Sequence, residues 1–375
     1  MSRWARQLIV TVSVEADDPA VVGRVGRYGA LDGLPRLHEL CLRYGVRPSY
    51  MLTWSAAEEP RCQALARQWG AEAEFGAHLH PEEAPPIAPG ERGSHTLRPS
   101  QVEPGRLREK IANLLGRVAE TVGRRPTSYR SGFFDLAPAH AAALAELGIE
   151  ADSSFGPLEK VGPAHPFLHT PFHPYILDPS DPSREAALAS SRHAARGTRH
   201  AARNGTYGTN GTNGTSQESP TSSGHAARGT GHASPLVEVP LTSVFRRPFP
   251  RRLFGVYFHA PGAVRGVLRR LGLAEVLRFR PALASGAELV QVCRRTERMG
   301  IPAVMTIHSN ELAAGASRTV PTESAVAAYF ERLEEVFAWC RERGWASRTL
   351  TEAARQARAE CGMRGAAQGR ESASR

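Results

Sequence analysis

The stretch GAHLHPEE, from Gly76 to Glu83, carries side chains that can bind a metal ion. His78 and His80 are two residues apart, and Glu82 stands four residues after His78. Imidazole nitrogens and carboxylate oxygens are the usual non-thiol ligands of zinc in proteins. A histidine near a strand end is nevertheless more often a structural residue, and acids that follow a strand often cap helices. Taken alone, the stretch leaves a metal loop and a polar loop both open.

Further polar and ionisable side chains follow or end apolar runs elsewhere in the chain. They are Ser13, Glu15, Asp17 and Asp18 at the end of VTVSVEADD, Tyr129, Arg130 and Asp135 in SYRSGFFD, Asp152 in IEADSS, and His308 and Glu311 in MTIHSNEL. In a parallel barrel the carboxyl ends of the strands meet at one mouth, so these groups are predicted to converge there. Ligands from two strands, with a histidine and an arginine across the pocket, would form a catalytic metal centre with an open position for water.

Short β-type runs alternate with longer helical patterns along the chain. QLIVTVSV (7–14), RPSYML (47–52) and AEAEFGAH (71–78) are predicted strands, and LPRLHELCLRYG (34–45) between the first two is a predicted amphipathic helix. The strand-then-helix order favours a parallel sheet, and the number of repeated units favours a barrel over an open sheet. The fold class predicted from this pattern is therefore α/β, with the candidate residues at strand ends.

A low-complexity segment interrupts the alternation. From 181 to 234 the sequence repeats HAARGT or close copies and contains almost no large apolar residues. Such a segment cannot bury enough apolar surface to offset its ordering entropy, so we predict a disordered insertion there. The chain is thus predicted to form one domain over 5–355, interrupted by the insertion and followed by a disordered tail over 356–375.

Composition narrows the classes of partner and compartment. The formal net charge is +10, but arginines are scattered along the chain without a basic stripe of interleaved aromatics, so no nucleic-acid partner is predicted. The five cysteines are far apart and indicate neither a disulfide framework nor a cysteine zinc site. No segment has the roughly 20 apolar residues of a membrane span, and the N-terminus does not resemble a signal peptide.

We therefore expect a cytoplasmic protein without a transmembrane segment. The run VFRRPFPRRLFGVYF (244–258) leaves three alternatives open, namely an acceptor-binding loop, a peripheral membrane contact, and a barrel edge with solvated arginines. The oligomeric state cannot be predicted from the sequence.

Six motifs resemble, in their order, those of the polysaccharide deacetylase family, and in particular its divergent members associated with glycan biosynthesis. The motifs are VTVSVEADD, EFGAHLHPEE, PTSYRSGFFDL, GIEADSS, LVEVPLT and MTIHSNEL, and the similarity covers residues 7–178 and 236–353. The resemblance implies an irregular (β/α) barrel of about seven strands. It also implies metal-dependent hydrolysis of the N-acetyl group of an acetamido sugar or glycan precursor, with a metal-activated water attacking the amide carbonyl.

The resemblance implies a ligand set for the metal, which is most simply zinc. His78 is the firmest ligand, and Glu15 is a second. Many relatives space their metal histidines four residues apart, but Glu82 occupies that place here and His80 lies only two residues from His78. Either residue can complete the set, and His80 is favoured because imidazole is the commoner zinc ligand.

The remaining motif residues receive roles from the same resemblance. His308 is the candidate general acid. Arg130 is expected to orient the catalytic carboxylate, since its planar fork suits an acid, and Asp152 to steady a cationic partner. Tyr129, Asp152 and Glu311 are assigned to substrate binding.

The opening motif departs from the family at one position. Ser13 stands where most relatives have an aspartate, although Glu15 is retained on the same side of the strand. Asp17 or Asp18 in the following loop is the candidate replacement base. Slow hydrolysis without a base, and a catalytically impaired protein that binds a glycan or a biosynthetic partner, remain open, as does a barrel hydrolase acting on a non-sugar amide.

Overall fold

A central sheet of parallel strands organises the molecule. The computed structural model describes residues 2–18, 21, 28–92, 96–158, 169–186 and 235–373. The strands are β1 Gln7–Val14, β2 Pro48–Leu52, β3 Glu74–Leu79, β4 Ser128–Ser131, β5 Ala151–Asp152, β6 Tyr175–Ile176, β7 Val237–Glu238, β8 Ser243–Phe245, β9 Val276–Arg278, β10 Ala303–His308 and β11 Ala346–Ser347. The sheet order is β10-β1-β2-β3-β4-β5-β7-β6, with β11 paired to β1 and with β8 and β9 forming a separate pair. Pairing from β10 to β7 is parallel throughout, and β6 is antiparallel to β7.

Helices connect successive parallel strands and cover the sheet, as parallel strands require. They are α1 Leu34–Arg43, α2 Trp54–Glu58, α3 Pro60–Trp69, α4 Pro104–Val122, α5 Pro138–Glu146, α6 Phe254–His259, α7 Gly262–Arg270, α8 Gly286–Met299, α9 Glu323–Glu342 and α10 Leu350–Ala373. Helix α4 ends at Gly123, whose positive φ of 78° supplies the left-handed cap. Of the described helices, none has the length and apolar character needed to cross a membrane.

Thr242 links the two ends of the parallel run. It follows β7, and its backbone N–H donates to the carbonyl of Val304 in β10 at 3.0 Å. The Thr242 hydroxyl accepts from the Val304 N–H at 2.8 Å. Since β7 and β10 are the outer strands of that run, these hydrogen bonds curl the sheet toward closure. The predicted irregular (β/α) barrel is confirmed.

The side chains of β1 alternate between two environments. From Leu8 to Val14, the even-numbered residues pack against the surrounding helices in the main apolar cluster. Ile9, on the other side, packs with Met51 in a second cluster inside the barrel. Because side chains alternate along a strand, Ser13 lies on the same side as Ile9. The barrel interior therefore changes from apolar to polar toward the carboxyl ends of the strands, where the candidate residues lie.

Helix α10 covers most of the segment predicted to be a disordered tail. The chain is helical from Leu350 to Ala373, a range that includes residues 356–373 of the segment for which a disordered tail is predicted. The indole N–H of Trp4 donates to Glu360 at 2.9 Å, and Ala357 is buried against the barrel. Alanine, arginine, glutamate and glutamine are strong helix formers, and alanines allow a helix to pack closely.

The predicted insertion begins inside the described fold. The hydroxyl of Tyr175 donates to the carbonyl of Pro182 at 3.0 Å, and Arg184 pairs with Asp181 at 2.8 Å. Residues 181–186, at the start of the predicted insertion, are thus among the described residues and contact β6. Residues 187–234, the rest of the predicted insertion, lie outside the described residues.

His140 in α5 makes the stability of the fold sensitive to acid. The side chain is fully buried, and its Nε2 atom lies 2.8 Å from the hydroxyl of Tyr129. Burial lowers the pKa of His140 to about 4, from 6.5 for an ordinary histidine. Between these values the unfolded chain takes up a proton that the folded protein does not. The stabilisation is therefore complete above about pH 6.5 and is lost as the pH falls toward 4.

Between about pH 7 and 5, protonation of His140 in the unfolded chain should lower the free energy of unfolding of the wild type by about 2 kcal/mol. We expect His140→Gln to lack this part of the loss. Urea unfolding of both proteins at the two pH values measures this difference. Tyr129→Phe is the matched control, because it removes the same hydrogen bond but leaves the histidine to titrate, so the full acid loss should persist. An unchanged acid loss in His140→Gln would assign the sensitivity to other groups.

Candidate metal centre

Glu15, His78 and His80 meet at the carboxyl ends of β1 and β3. The Nε2 atom of His80 lies 3.2 Å from Nε2 of His78 and 3.5 Å from Oε2 of Glu15. The distance between His78 Nε2 and Glu15 Oε2 is 3.7 Å. One ligand atom from each residue lies within 4.8 Å of the other two, a spacing that suits a shared cation. The structure thus brings together three residues that the sequence analysis assigned to the metal.

The ring of His78 is oriented for ligation. Its Nδ1 atom lies 3.1 Å from the backbone carbonyl oxygen of Arg130, which can only accept a hydrogen bond. Nδ1 therefore carries the proton, and the lone pair of Nε2 points into the cluster. Zinc-binding histidines are commonly fixed in this way by a carbonyl or carboxylate on the second ring nitrogen.

Gly132 makes room for His80 beside this ring. A Cβ atom at Gly132 would lie 2.6 Å from the carbonyl oxygen of Leu79 and 3.5 Å from the His80 ring. The first distance is shorter than any real Cβ contact. The glycine after β4 is therefore a steric requirement of the loop that carries His80.

Charge is distributed unequally over the three residues. Burial alone would raise the pKa of Glu15, but the nearby imidazoles of His308, His78 and His80 outweigh it and hold that pKa well below its ordinary value. Burial lowers the pKa of His78. Burial would also lower the pKa of His80, but hydrogen bonds to Glu15 and Glu82 raise it to about 10. A divalent cation between these groups would take the place of the His80 proton, so its binding would release protons.

Glu82 lies beside the cluster. Its Oε1 atom is 3.7 Å from Nδ1 of His80, on the ring edge that faces away from Glu15. The side chain is buried, and its Oε2 atom has no hydrogen-bond partner in the described part of the chain. In this arrangement Glu82 orients His80, and the alternative in which Glu82 replaces His80 as a ligand is less well matched to the geometry.

His308 faces the cluster from the end of β10. The sheet register pairs it with Ser13, and its Nε2 atom lies 4.0 Å from Oε1 of Glu15. Nδ1 lies 3.8 Å from Oε1 of Glu311. Burial and the positive charge of Arg280 lower the pKa of His308 to about 4. The imidazole is therefore neutral at neutral pH, with an acid close to its outer nitrogen.

Arg130 spans the barrel interior behind the cluster. It donates from Nη1 to the hydroxyl of Ser13 at 3.1 Å and to that of Thr306 at 3.2 Å. Nη2 donates to Thr11 Oγ1 at 2.7 Å, and Nε donates to the carbonyl of Ser153 at 2.9 Å. Among the described residues Arg130 has no ion pair, although it was predicted to orient a carboxylate. The reason lies at position 13, where a serine hydroxyl accepts the bond that an aspartate would otherwise accept.

Comparisons with known proteins support the same fold. No protein-family model and no curated protein sequence matches the chain. A solved structure from Mycobacterium smegmatis, assigned as a polysaccharide deacetylase, is 16% identical, aligns over 95% of this chain and 91% of that chain, and gives a TM-score of 0.52. The chain has a polysaccharide deacetylase-like fold.

Two further solved structures are similar over most of this chain. One, from Pseudomonas aeruginosa PAO1 and also assigned as a polysaccharide deacetylase, is 14% identical over 94% of this chain and 90% of that chain, with a TM-score of 0.45. The other, a CE4 family pseudoenzyme from Bacillus anthracis, is 8% identical over 93% of this chain and 66% of that chain, with a TM-score of 0.39.

A cavity of about 970 Å³ opens over the cluster in this deacetylase-like barrel. Its size is at the upper end of the range of ligand-binding pockets. Its polar wall includes Glu15, His80, Glu82, Asp18, His308 and Glu311. Trp54 and Phe133 contribute aromatic surface to the same cavity. The site is therefore accessible to a ligand considerably larger than an acetamide group.

Asp152 and Glu238 form a buried acid pair behind Arg130. They are register partners in β5 and β7, and neither lines the cavity. Burial raises the pKa of Asp152, and burial together with Asp152 raises that of Glu238 well above its ordinary value. The pair therefore retains a proton, and its remaining negative charge balances Arg130. This placement fits the steadying of a cationic partner and gives Asp152 no direct contact with a ligand in the cavity.

Two other predicted site residues make contacts within the scaffold. The hydroxyl of Tyr129 is buried against His140, and Tyr129 does not line the cavity. Asp17 borders the cavity, but its two carboxylate oxygens accept the backbone N–H groups of Gly29 at 3.0 Å and Ala30 at 2.9 Å. The Asp17 carboxylate therefore holds the turn that follows the loop.

Three residues that the sequence analysis did not single out support the site. Asn310 Nδ2 donates to Oε1 of Glu15 at 3.4 Å. The hydroxyl of Ser309 donates to the carbonyl of Glu15 and accepts from its N–H, both at 3.0 Å. Arg280 donates from Nε to Glu311 at 3.1 Å. Ser309 and Asn310 were visible as polar residues next to His308, whereas Arg280 belongs to none of the six motifs.

Proposed function

We propose that this protein is a metal-dependent hydrolase that removes the N-acetyl group from an acetamido sugar or glycan precursor. The observation that carries the proposal is the convergence of Glu15, His78 and His80 within 4.8 Å at the mouth of a deacetylase-like barrel. Two imidazoles and one carboxylate form a donor set typical of catalytic zinc sites, which keep a position open. Zinc bound there would supply Lewis-acid polarisation of the amide carbonyl and a water that ionises near neutral pH.

The surrounding residues fix and balance this donor set. The Arg130 carbonyl holds the Nδ1 proton of His78, so that only Nε2 faces the ligand position. Glu82 contacts the outer nitrogen of His80, and Asn310 contacts one oxygen of Glu15. Ligands held in this way need little reorganisation when the cation binds.

His308 is the proposed proton donor to the departing amine. Its Nε2 atom faces the cluster, and Glu311 beside Nδ1 would stabilise the imidazolium form. Because the pKa of His308 is lowered to about 4, the ring is neutral before reaction at neutral pH. The ring would therefore have to take up the proton that the general base removes from the attacking water before it passes a proton to the amine.

Asp17 and Asp18 both border the cavity and are the candidates for the general base. Because both carboxylate oxygens of Asp17 accept the backbone N–H groups that hold the following turn, Asp18 is the first residue to test as the replacement for the acid that relatives carry at position 13. A carboxylate at the cavity wall can act through one intervening water.

The contact between Arg130 and Ser13 favours a second candidate function. The guanidinium group of Arg130 meets neutral hydroxyl oxygens of Ser13, Thr306 and Thr11, where the family resemblance would place a catalytic carboxylate at position 13. A protein with such a site can retain the metal and the cavity and serve as a glycan-binding or partner-binding protein.

Metal content and acetate release together test the proposal. We expect about one divalent metal per chain, and acetate formed from N-acetylated monosaccharides, sugar nucleotides or oligosaccharides at pH near 7. Elemental analysis of the purified protein and an enzymatic acetate assay are the two measurements. Bound metal without acetate from any acetamido sugar would favour the binding protein. Failure to bind any divalent metal would reject both the site and the reaction.

A further inference from the structure

Helix α7 presents an apolar face that the described fold covers only in part, where Leu268 packs against the apolar cluster of Phe245 and Phe254. Val264, Val267 and Leu271 are spaced three and four residues apart, which places them on one side of the helix. Their exposed fractions are 46%, 52% and 63%, and no residue of α7 is buried. A helix of this length is marginal in water without packing along its apolar face, and the contact of Leu268 leaves most of that face in solvent. The exposed part of the face is therefore expected to have an external partner.

Exposed aliphatic side chains also flank α7 in the sequence. Leu253 and Val256, which belong to the turn before α6 and to α6 itself, are 39% and 69% exposed. Leu273, just after α7, is 54% exposed. Residues 253–273, called the α6–α7 segment below, therefore expose six large aliphatic side chains. Isolated exposed apolar residues are common, but a group concentrated in one short segment marks an interaction surface.

The sequence around the α6–α7 segment contains basic residues but no acidic ones. From 239 to 274 the chain contains no aspartate or glutamate. The same stretch contains the arginines Arg246, Arg247, Arg251, Arg252, Arg265, Arg269 and Arg270. Arg252, Arg269 and Arg270 are exposed, and the described residues provide none of them with an ion pair. Apolar side chains bordered by unpaired arginines are complementary to a surface with negative charge over an apolar layer.

A cavity of about 350 Å³ lined by arginines adjoins this segment. Arg246, Arg247, Arg294, Arg295 and Arg298 contribute to its walls. Glu275 and Glu288 neutralise Arg246, but the described residues provide no acid to the other four.

Two details connect the arginine cavity to an anionic ligand. The Nε atom of Arg295 is buried without a hydrogen-bond partner among the described residues. Burial and the nearby charge of Arg298 lower the pKa of Arg295, as expected for cations held together without a counter-ion. A Cβ atom on Gly272, just after α7, would lie 3.8 Å from Nη2 of Arg247, so this lining arginine approaches the C-terminal end of the helix.

We propose that the α6–α7 segment docks onto an anionic lipid membrane, with its aliphatic side chains entering the interface and the arginines contacting lipid phosphates. Short amphipathic helices with arginines beside a large apolar face bind at the boundary between the lipid headgroups and the acyl chains. Arginine stems can lie along the apolar layer while their guanidinium groups reach the phosphates. The arginine cavity would receive one headgroup phosphate. This inference is independent of the proposed function, because neither surface includes a residue of the metal cluster.

Vesicle sedimentation with the full chain tests the proposal. We expect binding to phosphatidylcholine vesicles that contain phosphatidylglycerol, little binding to phosphatidylcholine alone, and weaker binding at high salt. The double variant Val267→Glu with Leu271→Glu should lower the partition coefficient by more than about tenfold, because it places charge in the apolar face. The double variant Arg269→Glu with Arg270→Glu should also lower the partition coefficient, by about fivefold or more for each arginine charge lost.

Matched variants separate this surface from general effects. Leu42→Glu on α1, where the leucine is 43% exposed, and Arg108→Glu on α4 should leave vesicle binding unchanged. Circular dichroism confirms that each variant is folded, which is expected because the replaced side chains are exposed. His78→Ala should also bind vesicles normally, so a failed metal site and a failed membrane contact give different results.

Three outcomes would overturn the proposal. The first is the absence of binding to anionic vesicles. The second is binding that neither double variant weakens. The third is a lipid-free dimer that dissociates on Val267→Glu with Leu271→Glu, which would show that a second copy of the chain covers the α7 face.

Discussion

Replacing His78 by alanine is expected to abolish metal binding and to lower any acetate release by more than about 100-fold. Of the three clustered residues, His78 is the one whose ring is fixed from behind, through the Arg130 carbonyl. Its loss leaves Glu15 and His80, whose closest atoms are 3.5 Å apart and would pair with each other. Two ligands that neutralise each other cannot replace a three-residue donor set. Isothermal titration with zinc and the acetate assay measure the two effects.

His38→Ala is the matched control for the loss of a buried histidine. The His38 ring is buried, stacks on Trp69 with centroids 4.1 Å apart, and pairs with Glu72 at 3.0 Å. It does not line the cavity. The variant should lose stability but retain metal at the wild-type stoichiometry. If His78→Ala retains the metal while His38→Ala behaves as expected, the ion is held elsewhere and the cluster is only a hydrogen-bonded group.

The fold was predictable from the sequence where the pattern of apolar residues agrees with the burial of the segment in the structure. QLIVTVSV is an unbroken apolar and small-residue run, and it became a strand with every residue buried between two parallel neighbours. The segment 356–373 was not predictable in the same way. Ala357 packs against the barrel, and Trp4 and Gln7, from the other end of the chain, donate to Glu360 and Gln356. Composition alone does not encode such long-range contacts.

The site was predictable to the level of strand ends but not of side-chain roles. The parallel order of the strands predicts that Glu15, His78 and His308 lie at the same mouth of the barrel. The sequence could not show that Asp17 accepts two backbone N–H groups, because these come from a turn whose position depends on the packed barrel. Nor could it show that Tyr129 faces His140 on the helical side of the sheet. A motif places a residue near a strand end, but it does not show which neighbouring side chains that residue contacts in the folded protein.

Charge balance inside the barrel explains how Ser13 is tolerated. Arg130 is fully buried, and an unpaired cation in that environment would be strongly destabilising. The acid pair Asp152 and Glu238 retains one proton and supplies one negative charge near the guanidinium group. Ser13, Thr11 and Thr306 then satisfy individual N–H groups without adding charge. The fold can therefore keep Arg130 in place although position 13 lacks an acid.

Ser13→Asp is expected to raise the rate of acetate release by about 10²- to 10⁴-fold, the usual contribution of a positioned general base. Nη1 of Arg130 already lies 3.1 Å from the Ser13 hydroxyl, so a carboxylate at this position would meet a preformed cationic partner. The register places residue 13 beside His308, on the same side of β1 as Glu15. The new acid would thus stand next to the ligand position. Steady-state kinetics on an acetamido sugar, with metal content measured in parallel, determine the gain.

Ser13→Asn separates charge from shape in this experiment. The asparagine has nearly the size of aspartate and can accept a bond from Arg130, but it cannot take a proton from water, so it should leave the rate close to that of the wild type. A gain with aspartate alone identifies position 13 as the vacant base position and makes the natural protein a slow enzyme or a binding protein. Equal rates for the serine, aspartate and asparagine forms, all with metal bound, would instead place the base elsewhere on the cavity wall, with Asp18 as the first residue to replace.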